Sequence, residues 1–269
     1  VSPRHAVHLG QSVLIRSFIT ADQNDTTTAI NLLKKAKTLI ESQLKFYEKG
    51  QLPPDMTNVI KLDDLSPEDK HKAMINLHLD TRVCHADALI MLSVLKLTRS
   101  SKLVGVLQMR KSWKTYEAAS NAAKPHMSIL HPELLHSLDF GSGFFLFALS
   151  IIPSQFLKFA ELAGFKANRA VGLKMLRQVA EQSKVKAPLA SIVLLFNDLI
   201  VPRGLADITD YVKEAQQIVS KMISQFPKAA VFLMMGSHAA RKNLDLDQGV
   251  SLAKQALARA SDAYKTVAR

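Results

Sequence analysis

The sequence predicts an all-α protein built of antiparallel helical hairpins, and three observations predict it. Apolar residues recur at helical spacing along nearly all of the 269 residues, the turn signals between them are short, and no stretch reads convincingly as a strand. Aromatic residues make up only 6%, low for pleated sheets, which fill their faces with aromatic and β-branched side chains. The 48% hydrophobic content is enough for a continuous core.

The first helix is expected from about Arg4 to Thr20, and the second from about Thr26 to Lys49 with Asp25 as its cap. Gly50, Pro53 and Pro54 end it, since glycine suits a left-handed exit and proline has no N–H for the ladder. Ser66-Pro67-Glu68-Asp69 is the clearest helix start: a hydroxyl cap, a proline at the first position and acids facing the positive end of the dipole. From Met74 to Leu97 the following helix is apolar on more than one side, through Leu77, Val83, Ala86, Leu89, Ile90, Leu92, Val94 and Leu95. Such a helix packs against several neighbours, which places it at the centre of the fold.

A further helix, Leu103 to Ala122, alternates apolar positions with Arg110, Lys111 and Lys114 and stops before Lys124-Pro125. His131-Pro132 opens the next, which carries Leu134, Leu135, Leu138 and the run Phe144 to Ile152. Counted from Phe140, that run is roughly 13 residues, or about 20 Å, against a bilayer core of about 30 Å, so it reads as a buried helix. Pro153 then kinks it or begins another helix through Phe156, Leu157, Phe159 and Leu162 to Gly164. Asn168 is the cap expected for a helix to about Gln182, and another runs from Ala187 to Val201 before Pro202 and Gly204.

Beyond Gly204 a single stripe emerges: Ile208, Val212, Ala215, Val219, Met222 and Phe226, closed by Pro227. The next helix shows Phe232, Leu233, Gly236, Ala239 and Ala240, and the one after Asp245 shows Gly249, Leu252, Ala253, Ala256 and Leu257. A proline ending one repeat, with Gly236 and Gly249 in the small-residue places of the following pair, resembles a tetratricopeptide repeat. Alanine stands where that motif has tyrosine. The expected organisation is a helical region over 1–204 followed by tetratricopeptide-like helices over 205–269, forming one helical array in which each pair covers its neighbour's apolar face.

Longer blocks carry a wider resemblance. VCHADALIMLSVLKL (83–97), GVLQMRKSWKTYE (105–117), FGSGFFLFALSIIP (140–153), FLKFAELAGFKANRAVGLKML (156–176) and FPKAAVFLMMGSHAARKNLDLDQGVSLAKQAL (226–257) are similar, in order and spacing, to the tetratricopeptide repeat protein 39 family, which includes the fungal inclusion-body clearance proteins. This sequence has Gly105-Val106 where the family often pairs glycines, and it stops at Arg269 where members usually continue through more repeats. The resemblance implies a helical, non-enzymatic protein linked to lipid homeostasis or lipid-droplet-associated clearance of inclusions, at cytosolic or mitochondrial locations. It supplies no catalytic residues.

Net charge of +12 points to an anionic partner. The cluster Lys96, Arg99, Lys102, Arg110, Lys111 and Lys114 is the expected contact surface, for an acidic protein segment or anionic lipid headgroups. Nucleic acid fits less well, since helix-turn-helix and aromatic RNA-reading signatures are not evident. One cysteine, Cys84, permits no intramolecular disulfide, and the first residues lack a secretory signal, so a reducing, cytoplasmic setting is expected for a chain that begins at Val1 as a fragment does.

Motifs for bond chemistry are weak. Asp139-Phe140-Gly141 mimics a kinase triplet without the other kinase signatures, and Gly141-Ser142-Gly143 is not a nucleophile elbow but a place for close helix approach. His5 and His8 share a helix face without further ligands, and His126, His131 and His136 rotate around one rather than converging. Cys84 and His85, adjacent on a helix, point about 100° apart. Met234-Met235 is expected to fill gaps between helices or line a peptide groove. The sequence therefore predicts no catalytic residue, cofactor or metal.

Overall fold

The computed structural model describes residues 2–57, 61–98, 102–151, 168–201 and 209–267, and every regular element among them is helical. The predicted all-α class holds. Arg99, Pro153, Phe156, Leu157, Phe159, Leu162, Gly164, Pro202, Gly204 and Ile208 lie outside the described residues. The chain divides into two compact units, Val1–Met175 and Leu176–Arg269.

The first unit contains α1 (Pro3–Thr20), α2 (Gln23–Tyr47), the short α3 (Pro54–Thr57), α4 (Pro67–Thr98), α5 (Lys102–Ala123) and α6 (Pro132–Ser150). Asp25 is not the cap of α2. Asp22 takes that place, its carboxylate accepting the Asn24 N–H at 2.7 Å. Asp25 lies inside the first turn, buried, and receives Arg16 of α1 at two points, 3.0 Å from Nε and 2.5 Å from Nη2. Burying a carboxylate is costly unless it is paired, so the long-range arginine decides which aspartate is free to cap. At α4 the expected start stands: Ser66 Oγ accepts the Asp69 N–H at 3.1 Å and donates to the Asp69 carboxylate at 2.7 Å.

α4 is the central helix. One side joins Val7 and Leu14 of α1 and Ala29, Leu33 and Ile40 of α2 through Cys84, Ala88, Met91, Leu92 and Leu95. Its opposite side meets Met109, Tyr116 and Ala119 of α5 and Leu134, Leu138, Phe145 and Leu149 of α6 through Leu79, Val83, Ala86 and Ile90. The Trp113 and Phe145 rings stack with centroids 4.5 Å apart, and Ser112 Oγ donates to the Ala86 carbonyl at 3.0 Å. Tyr116, fully buried, donates its hydroxyl to Asp87 of α4. A Cβ at Gly141 would overlap the Tyr116 ring, so α6 approaches α5 at a point only glycine fits. The Asn76 side chain fastens the α5–α6 connection to α4, donating to the Ile129 carbonyl at 3.0 Å and accepting the His131 N–H at 2.8 Å.

α7 (Arg169–Gln182) crosses the boundary between the units; Asn168 caps it, accepting the Val171 N–H at 3.1 Å. The second unit continues with α8 (Ala187–Leu199), α9 (Thr209–Gln225), α10 (Ala230–Lys242) and α11 (Leu246–Val267). α9 buries the single predicted stripe, Val212, Ala215, Val219 and Met222, against Leu195 and Leu199 of α8 and Phe232, Met235 and Ala239 of α10. Phe226 lies one residue past α9 and stacks on Phe232 at 6.2 Å. Of the two small places, Gly236 is tight: a Cβ there would lie 3.0 Å from Val219 and 3.2 Å from Leu252. At Gly249 it would find ordinary contact, 3.5 Å from the Ser237 carbonyl. Ser237 Oγ donates to the Gly249 carbonyl at 2.7 Å and ties the last hairpin together. Between α10 and α11 the chain turns through Leu244, 87% exposed and at φ +60°.

Candidate interaction surface

Most of the expected contact residues stand on α5, which carries Lys102, Arg110, Lys111 and Lys114. This helix turns Tyr116, Met109 and Ser112 inward, and the helical period then carries Val104, Leu107, Arg110, Lys111 and Lys114 to the solvent side, where all are exposed. Val104 and Leu107 are 47% and 58% exposed, so the cations continue directly from an apolar turn on the same helix. Of the other expected contacts, Lys96 is half-buried near the end of α4 and Lys102 begins α5. Arg99 lies outside the described residues.

Lys111 belongs to a second grouping that sequence reasoning missed. On α2, Lys37 reaches the Glu41 carboxylate at 3.1 Å, and His85 of α4 brings Nε2 to 3.3 Å from the same group without the alignment of a hydrogen bond. Lys111 of α5 adds its field to both Glu41 and His85. Partial burial works to raise the Glu41 carboxyl, but Lys37, His85 and Lys111 together hold it below its ordinary value. Burial pushes the His85 imidazole below 6.5, with Glu41 opposing and Lys111 and Lys37 reinforcing that shift. Three helices thus converge on one carboxylate. A cue was present in the sequence: His78, Arg82 and His85 recur at helical spacing along this helix.

The remaining motifs fall into packing roles. Asp139, Phe140 and Gly141 are consecutive residues of α6, with Phe140 stacked on Phe144 at 6.0 Å. Cys84 is buried in the core shared with α1 and α2 while His85 faces Glu41, so the two diverge as their spacing requires. His131 caps α6, its Nδ1 accepting the Glu133 N–H at 3.2 Å, and His136 lies 3.8 Å from Glu133. Among the described residues no three His, Cys, Asp or Glu side chains are grouped to hold a metal ion. Met235 is buried in the second unit's core with Met234 packed against it. A separate hollow of about 410 Å³ crosses α9, α10 and α11, walled by Val219, Ile223 and Leu252 and floored at Gly236. The Phe144 to Ser150 part of the apolar run packs largely into the first unit, with Phe145, Phe147, Ala148 and Leu149 buried. No helix among the described residues is long and apolar enough to cross a membrane.

Antiparallel helix pairs, one of them proline-separated with a small residue at its crossing, define a helical-repeat protein of the tetratricopeptide kind. The chain belongs to the Iml2/Tetratricopeptide repeat protein 39 family, whose model matches residues 1–268. Repeats of this kind generally mediate protein interactions and act as scaffolds. No solved structure matches the chain.

Proposed function

We propose that this chain is a non-enzymatic scaffold that holds an acidic protein segment against the outer face of α5, within the lipid homeostasis or lipid-droplet-associated inclusion clearance to which its family resemblance points. The observation that carries this reading is the run Val104, Leu107, Arg110, Lys111 and Lys114, exposed on one helix. Apolar side chains beside cations favour a partner that supplies both apolar contact and negative charge. Lys96, near the end of α4, Lys102, at the start of α5, and Arg99, between them in sequence, complete the proposed contact set. The helices of 205–269 form the tetratricopeptide-like part of the scaffold, and the working location is cytoplasmic, peripheral at mitochondria or lipid droplets. The test is proximity labelling in cells with the parent chain and a form carrying Arg110→Glu, Lys111→Glu and Lys114→Glu. Loss of a defined set of protein neighbours supports the reading; an unchanged set refutes it.

A second reading, an anionic membrane or lipid-droplet surface as the partner, rests on the same Val104–Leu107 turn, which can enter a headgroup layer while the cations bind phosphates. The Phe144–Ser150 part of α6, largely buried, is not its apolar contact. This reading expects salt-sensitive flotation with phosphatidylserine vesicles that the same triple reversal abolishes.

A further inference from the structure

We propose that the junction of α2, α4 and α5 around His85 is a carboxylate-recognition site for an acidic protein segment, in which Glu41 holds the place that a partner's carboxylate takes. The inference rests on the acidic-segment reading above and gives it an address and a control.

Geometry carries the argument. Glu41 is 39% exposed, with Lys37 of its own helix at 3.1 Å and His85 of α4 at 3.3 Å, and Lys111 of α5 is near enough for its charge to act on both Glu41 and His85. At neutral pH the four side chains sum to one positive charge, and protonating His85 makes it two. A side chain that satisfies a cationic junction from within competes with any outside carboxylate for the same donors. The flexible Glu41 can swing into solvent at the modest cost of an exposed ion pair, which leaves Lys37, Lys111 and the buried edge of His85 to an incoming carboxylate.

The junction also couples binding to protons. The charged groups facing His85 are Lys37 and Glu41 from α2 and Lys111 from α5, with Arg82 one turn back on α4. The other helices packed on α4 place their nearby charges elsewhere: Arg4 of α1 on Asp80, and His136 of α6 beside Glu133. An acidic segment brings several carboxylates to the junction in exchange for the single one of Glu41, and this gain in negative charge favours the imidazolium, so a ligand that binds here takes up a proton and binds more tightly as pH falls through the histidine range.

The test is fluorescence anisotropy of a labelled oligoglutamate peptide titrated with the whole chain at an ionic strength of about 0.15 M, at about pH 7.5 and about pH 6. The expected result is binding that tightens about tenfold on acidification, the equivalent of one charge-assisted contact. His85→Gln removes that gain and His71→Gln, exposed near the start of α4, keeps it. Glu41→Gln tightens binding severalfold at the higher pH because the internal competitor is gone, and Lys111→Gln weakens it. Circular dichroism melts confirm that each variant is folded; should His85→Gln not fold, the opposed effects of Glu41→Gln and Lys111→Gln decide. Binding in which Glu41→Gln is neutral or weakening, or in which His85→Gln retains the acid gain, overturns the inference while leaving the acidic-segment reading intact. Absence of any peptide binding overturns that reading itself. Phosphatidylserine vesicles that bind with the same Glu41 and His85 dependence, where the peptide does not, replace the protein segment with a membrane.

Discussion

α4 and α9 are both long helices that bury apolar residues, yet they do so differently. α4 is clad on opposite sides by two cores, whereas α9 presents a single stripe to its neighbours and leaves the rest to water. Most polar residues on α9 reach solvent, while the half-buried Glu214 meets Arg177 and Lys221 meets the Ala180 carbonyl. On α4 a polar residue has few places to be, so Asp80, His85 and Asp87 each meet a named partner: Arg4, Glu41 and Tyr116. The difference teaches that a polar side chain is informative in proportion to how completely its helix is surrounded.

Gly141→Ala gives the sharpest way to break that comparison, because the added methyl must displace a fully buried ring at the α5–α6 crossing. A loss of about 3 kcal/mol is expected, read as a lowered denaturant midpoint. In the single-stripe unit Met222→Ala, at a fully buried position, should cost about 2 kcal/mol, since the one-sided packing leaves room to relax around the cavity. A greater loss at Met222 than at Gly141 would reverse the ranking of the two regions. Tyr116→Phe removes the hydroxyl that serves Asp87 and should cost about 1–2 kcal/mol with little change in volume.

The pH dependence sharpens the same contrast. His78 stacks on Tyr47 and accepts a hydrogen bond from Arg82 Nε at 3.0 Å on its Nε2, which needs the neutral ring. Burial first, and then Arg82, lower its pKa in the folded state below 6.5. The unfolded chain therefore takes the proton first, and stability falls as pH drops through 6.5 until the folded ring also titrates. His78→Gln should flatten the melting temperature against pH over that window, and an unchanged slope would refute the assignment. The smallest effect is a gain: Leu244→Gly relieves a left-handed backbone at a solvent-exposed turn and should stabilise the last hairpin by about 1 kcal/mol.

Much of this architecture was legible in the sequence wherever the cause is local. Ser66, His131 and Asn168 cap the helices they precede because a cap is decided within three residues. The outward face of α5 followed from periodicity alone. Asp25 was misread because Asp22 and Asp25 both suit a cap, and Arg16 of another helix settles the matter. The Glu41 junction was invisible for the same reason on a larger scale: it depends on how α2 and α5 are rotated about α4, which no short pattern encodes. Gly236 and Gly249 looked equivalent as small places, but only the packing of Val219 and Leu252 distinguishes them.

Asn76 has a consequence of its own. Its carboxamide offers one N–H and one C=O to a stretch of main chain, and so acts as a spare peptide group lent by the central helix to the corner between α5 and α6. That corner is laced much as a sheet edge would be, in a protein whose described elements are all helices. Aspartate, nearly the same shape, would turn the donated hydrogen into a second lone pair facing the Ile129 carbonyl, so an exchange of a single atom would unpick it.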